Sequence, residues 1–187
     1  MARSIRPSVK PHDKGVFVVM KPILLLMAAI VVSLFLTMVG CSGTSAIPQV
    51  GDKAPNFTLE TIDGKSLSLS DFRGKTLLIV FTSVNCKACE QQMTYLIEAY
   101  QQANGKLAVL SIYHMIYDAR IVRDYVTKKQ FTAFPALPDL KNKVATAYGA
   151  TGFPPTNFII DTEGIIRYKK PGPFQSQEEI DKILESL

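Results

Sequence analysis

Cys86 and Cys89 are two thiols three residues apart, in the stretch Val84-Asn85-Cys86-Lys87-Ala88-Cys89-Glu90. An apolar run, Leu77-Leu78-Ile79-Val80-Phe81, precedes them. After them Met93, Leu96, Ile97 and Tyr100 recur at i, i+3, i+4 and i+7. These patterns predict a buried strand followed by an amphipathic helix. Two cysteines at such a junction close a small disulfide ring or present a reactive dithiol. The first stands at a helix N-terminus, where free backbone N–H groups and the helix dipole favour a thiolate. A staple between residues this close restrains little unfolded-chain entropy. The pair therefore reads as reactive, and the chemistry as redox chemistry.

The elements that must hold this pair follow from periodicity and turn residues. Phe57 and Leu59 alternate as a short strand, Asp63-Gly64 is a hairpin turn signal, and residues 66–69 return as a second strand. Ser70 is expected to cap a brief turn ending at Gly74. Residues 75–82 read as the central strand, apolar on both faces and so expected to be parallel and interior. The helix after Cys86 is expected to reach Ala103, with Asn104-Gly105 as its stop. Residues 107–113 read as a second core strand, and 118–129 as a helix with Ile121, Val122, Tyr125 and Val126 inward. Phe134-Pro135-Ala136-Leu137-Pro138 reads as a link to a short helix over 140–148. Residues 157–161 and 165–169 form a hairpin through Thr162-Glu163-Gly164. Ser176 caps a last helix with Ile180, Ile183, Leu184 and Leu187 on one face. The order predicts an α/β fold with one mixed sheet in one domain.

The chain has 187 residues, 47% of them hydrophobic, which suits one domain with an appendage. The net charge of +5 belongs to the appendage. Residues 1–40 hold five basic residues and one acid, whereas from Cys41 onward 16 Lys+Arg face 15 Asp+Glu. The folded part shows no basic footprint, so nucleic acid is not an expected partner. From Ile23 to Val39 no residue is charged, a run short for a spanning helix and long for a signal-peptide core. It ends in Met38-Val39-Gly40-Cys41, which resembles the lipobox of bacterial lipoproteins, with Cys41 as the lipidated residue. Two readings stay open: a lipid anchor at Cys41, or an uncleaved signal anchor. In either case residues 1–41 are a membrane-targeting signal segment, 42–49 a flexible tether and 50–187 a domain on the outer face of the cytoplasmic membrane. Met20-Lys21-Pro22 would open an ordinary signal, so translation is expected to start at Met20. With Cys41 in the leader, one cysteine pair remains for an oxidising compartment.

Three ordered blocks carry a family resemblance. The first runs from Gly51-Asp52-Lys53-Ala54-Pro55-Asn56-Phe57 through Asp63-Gly64 to Leu69-Ser70-Asp71-Phe72-Arg73-Gly74-Lys75. The second is the apolar strand with Cys86-Lys87-Ala88-Cys89. The third runs from Tyr148-Gly149 through Gly152-Phe153-Pro154-Pro155-Thr156 to Phe158-Ile159-Ile160-Asp161 and Gly164. Together they resemble the thioredoxin-like fold, and in particular the membrane-tethered TlpA/ResA-type thiol-disulfide oxidoreductases, which border the peroxiredoxins. The resemblance implies a central mixed sheet flanked by helices, with a short N-terminal β-hairpin extension. It implies that Cys86 is the nucleophile and Cys89 the resolving thiol, exchanging through a mixed disulfide. Pro155 is expected to follow a cis bond and to face the pair, a form within about 0.5–1 kcal/mol of trans for an X–Pro bond. Asn85, Lys87, Ala88, Pro154 and Thr156 are the expected supporting residues. No cofactor beyond the redox-active disulfide and no metal is expected. Protein thiols outside the cytoplasm are the implied clients, apocytochrome c cysteines among them, with a membrane electron donor and a reductase direction.

The chain departs from the family pattern at named positions. Asn85 stands where a tryptophan commonly precedes the first cysteine, and the chain contains no tryptophan. Lys87-Ala88 replaces a pair that often includes proline. Val80 stands where thioredoxin carries a buried acid, which leaves the proton-transfer group at Cys89 open. Glu90 reads as a complement to the helix dipole. Two other functions remain on the residues. A peroxiredoxin-like peroxidase would use the hydroxyls of Thr82 and Ser83, although no proline accompanies them. A copper-binding or assembly module would use the dithiol with His114, since His12 lies in the leader. His114 otherwise reads as a structural residue at a strand end. Tyr95, Tyr100, Tyr113, Tyr117 and Tyr125 read as core or rim.

Overall fold

The apolar run before the cysteines forms the middle strand of a five-stranded mixed sheet in the computed structural model, which describes residues 47–187. A separate hairpin comes first, β1 (Thr58–Glu60) against β2 (Ser66–Ser68), followed by a 3-10 turn over Leu69–Phe72. The central strand β3 (Thr76–Thr82) leads into α1 (Lys87–Gln102), β4 (Leu107–Tyr113) and α2 (Ala119–Lys129). Then come β5 (Ala136–Pro138), α3 (Lys143–Ala147), β6 (Thr156–Ile160), β7 (Ile166–Pro171) and α4 (Gln177–Glu185). The sheet order is β5-β4-β3-β6-β7.

Side chains of β3 alternate between two covered faces. Leu77, Ile79 and Phe81 pack with Leu110, Ile112, Phe158, Val144 and Tyr148, beneath the hairpin and α3. Leu78 and Val80 pack with Met93 and Leu96 of α1 and Ile180 of α4. Burying one such side chain is worth about 1.5–3 kcal/mol, and five consecutive β3 residues, Leu77 to Phe81, are at most 1% exposed. A third cluster seats Val122 and Val126 of α2 on Tyr113 and Ala136. The fold is thioredoxin-like, as the three sequence blocks imply.

Several expectations need correction. β3 is parallel to β4 but antiparallel to β6, because the chain returns to its other side through a loop and then turns back as a hairpin. The proline-rich link contains strand β5, parallel to β4. Its prolines cost little at a sheet edge, and the Ser111 and Asp139 N–H groups donate to the Pro135 and Tyr113 carbonyls. The 3-10 turn is capped from Ser68, not Ser70, with the Ser68 N–H donating to the Asp71 carboxylate at 2.8 Å. Residues 47–49, assigned to the tether, are held on the domain: Pro48 is buried, and Lys169 Nζ donates to its carbonyl at 3.1 Å. Leu187 is 51% exposed and leaves the apolar face of α4, while Tyr117, at 87%, belongs to neither core nor rim. The signal segment, Cys41, Met20 and residues 42–46 lie outside the described residues. Among the described residues no helix is long and apolar enough to cross a membrane.

Candidate active site

The β3-to-α1 junction brings the two thiols together as a Cys86–Cys89 disulfide with a Cα–Cα distance of 5.2 Å. Cys86 is the N-cap of α1, extended at φ −117°, and its Sγ accepts the Cys89 N–H at 3.1 Å. That N–H is one of the donors a helix start leaves without an intrahelical partner. There it faces the Cys86 sulfur, and a donor in that place favours the thiolate form of a reduced cysteine over the thiol. Exposure divides the pair: Cys86 is half-buried, whereas Cys89 is 1% exposed within the α1 core face. Beside them Asn85 and Lys87 are exposed, and Ala88 is half-buried.

The loop before β6 supplies the facing wall. The Pro154–Pro155 peptide is cis, and the Pro154 carbonyl oxygen lies 3.4 Å from Cys86 Sγ. In the disulfide this is a contact; a reduced Cys86 thiol has a hydrogen to donate there. Pro155 and Thr156 are buried, and Thr156 pairs with Phe81 at the start of β6. Pro154 is half-buried beside Phe153, which is 96% exposed. The sequence-derived site residues therefore gather at one end of the sheet.

Glu90 does more than complement the dipole. Its carboxylate accepts from Lys129 Nζ, 2.9 Å away, and from Tyr125 OH at 3.2 Å, tying α1 to α2. The Lys129 hydrogen bond holds the Glu90 carboxyl below its ordinary range. Committed to that clamp, Glu90 is not a free base for Cys89. His114 is 1% exposed, its ring edge-on to Phe81 with centroids 6.4 Å apart. Neither ring nitrogen has a hydrogen-bond partner among the described residues. Burial pushes its pKa down, and the charge of Asp139 only partly offsets this.

Two residues of the site escaped the sequence reading. Gln92 and Asn157, each fully buried, bond to one another behind Cys89. Asn157 lies opposite Val80 in the β3–β6 register. The available signal was a polar residue at i+3 from Cys89 on the apolar face, and another opening the apolar run Asn-Phe-Ile-Ile.

Comparison with known proteins decides the family. The AhpC/TSA family profile matches residues 50–169. A thiol-disulfide oxidoreductase ResA of Geobacillus thermodenitrificans is 31% identical over 140 residues, covering 74% of this chain and 78% of its own length. The chain belongs to the AhpC/TSA family, among the ResA/TlpA-type thiol-disulfide oxidoreductases. Solved structures agree on the fold of this oxidoreductase. The exposed lipoprotein thioredoxin Etrx1 of Streptococcus pneumoniae superposes with a TM-score of 0.64 at 26% identity, over 71% of this chain and all of that one. The thioredoxin domain of a thiol-disulfide oxidoreductase from Bacteroides vulgatus gives 0.63 at 22% identity, over 72% and 96%. As a ResA/TlpA-type enzyme, the protein exchanges disulfides with protein thiols, and the Cys86–Cys89 pair is the disulfide it presents.

Proposed function

We propose that this oxidoreductase is a membrane-anchored disulfide reductase of the extracytoplasmic space, with Cys86 as nucleophile and Cys89 as resolving thiol. The carrying observation is the asymmetry of the pair: a half-exposed, N–H-bonded Cys86 and a buried Cys89. In the reduced enzyme the Cys86 thiolate attacks a client disulfide, forming a Cys86–client bond and releasing one client thiolate. Cys89, as thiolate, then attacks Cys86 Sγ, releases the second client thiolate and closes the Cys86–Cys89 disulfide. Two electrons pass to the client, and a membrane dithiol donor restores the enzyme. Pro155, supported by Pro154 and Thr156, forms the wall against which the client segment lies. Phe153, with Met115 (59% exposed) and Tyr117 after β4, leaves apolar surface at this end of the sheet that suits a protein client. Apocytochrome c cysteines are the clients that the family resemblance favours.

Anchoring rests on the lipobox-like Met38-Val39-Gly40-Cys41 and on likeness to a pneumococcal protein described as an exposed lipoprotein. The direction is tested by the reduction potential of the Cys86–Cys89 couple. A value near that of thioredoxin, about −270 mV, is expected; one near that of DsbA, about −120 mV, would make the protein an oxidant instead. Mass spectrometry of the mature N-terminus checks the anchor, with a diacylated Cys41 expected.

The AhpC/TSA match gives a peroxidase a claim as the second reading. Thr82 is 1% exposed in β3, its neighbour Ser83 half-buried. Stopped-flow oxidation of reduced Cys86 by hydrogen peroxide separates the two, with only slow oxidation expected of the exchange enzyme. For a copper module, His114 would have to leave its buried place against Phe81.

A further inference from the structure

A chain of hydrogen bonds joins the dithiol helix to the cis-proline strand. Gln92 lies three residues after Cys89, on the same face of α1. Its Oε1 accepts from the Phe174 N–H at 2.9 Å and from Asn157 Nδ2 at 3.2 Å. Its Nε2 donates to Asn157 Oδ1 at 3.0 Å. Asn157 Nδ2 also donates to the Gly172 carbonyl at 2.9 Å, and the Gly172 N–H donates to the Pro155 carbonyl at 2.8 Å. On the other side of the cis peptide the Pro154 carbonyl oxygen is in contact with Cys86 Sγ. Both amides are 0% exposed, so neither touches a client.

The backbone partners fix which way each amide points. The Phe174 N–H needs an acceptor and the Gly172 carbonyl needs a donor, which sets Gln92 Oε1 and Asn157 Nδ2 and leaves Gln92 Nε2 to donate to Asn157 Oδ1. Position 92 must therefore accept and donate at once, which an amide does and an ionised carboxylate or a thioether does not.

We propose that Gln92 is a positioning residue for disulfide exchange. Through Asn157 and the 172–174 loop it holds the Cys86–Cys89 helix at a set separation from Pro155, without placing a charge behind Cys89. This rests on Pro155 facing the dithiol during exchange. Failure of the cysteine assignment would show separately, as activity surviving in Cys86→Ser.

The test is Gln92→Glu, assayed for dithiothreitol-driven insulin reduction between about pH 5 and 9, with near-UV circular dichroism reporting the fold. Burial raises the pKa of a carboxyl. While protonated, the introduced carboxyl keeps a hydrogen to donate to Asn157 Oδ1; once ionised, it sets oxygen against oxygen. The expected result is kcat close to wild type at low pH, falling about tenfold relative to wild type as pH rises, with KM unchanged, because small misplacements of reacting groups are costly. A ratio to wild type that stays constant across the range in folded protein would overturn the proposal. Should Gln92→Glu unfold at high pH, Gln92→Met decides. It is expected to fold with a lowered Tm and to lose about tenfold in kcat at every pH; a wild-type kcat in folded Gln92→Met would overturn the proposal.

Discussion

Position sets Cys86 apart from Cys89. As N-cap of α1 it receives the Cys89 N–H at 3.1 Å, while Cys89 itself is sealed in the α1 core face. Lys87, exposed, adds positive charge in solvent, where screening leaves it little effect. His114 shows the opposite treatment of an ionisable group, buried and held neutral. Its pKa is lowered from 6.5 by burial. Below 6.5 the unfolded chain binds a proton that the folded chain resists, so its contribution to stability is complete above 6.5 and declines as pH falls toward the lowered folded value. Urea unfolding should therefore give a lower midpoint at about pH 5.5 than at about pH 7.5, and His114→Phe should shrink that difference. A difference of full size in the variant would assign the pH dependence to other groups. The cysteine pair was legible from its spacing and its place between strand and helix, and Pro155 only through the family resemblance that three separated blocks carry. Gln92 and Asn157 were not, since their bond to one another spans 65 residues and their backbone partners, Phe174 and Gly172, are also distant in the chain.

Among the elements, those with a strong period were legible: β4 and α2 appear where their apolar patterns put them. β5 was hidden because Ala136-Leu137-Pro138, directly after Pro135, carries no alternation, and only pairing with β4 makes it a strand. The short helix α3 owes its start to Asp139, 2% exposed, whose carboxylate accepts the Lys143 and Ala145 N–H groups, both at 2.9 Å. Removing that acceptor strands two backbone donors. Asp139→Ala should cost about 1–3 kcal/mol, read as a lower urea midpoint with an unchanged m-value. No change in midpoint would mean that water replaces the carboxylate there.

In the whole molecule, the sheet places the end of β3, the end of β4 and the loop before β6 at one edge, so the disulfide, the exposed Phe153 and Tyr117 and the cis Pro154–Pro155 peptide share one surface. The layered α/β architecture was readable from the order of elements. The mixed character of the sheet was readable with it; that β3 takes β6 as its antiparallel neighbour was not, because an apolar strand looks the same whichever way its neighbours run. The protein is built to expose one sulfur and hide the other, and a trapped intermediate tests this most directly. Cys89→Ala incubated in reduced form with insulin should accumulate a mixed disulfide, mapped by mass spectrometry to Cys86. The absence of a Cys86 adduct, or insulin reduction undiminished in Cys86→Ser, would contradict it.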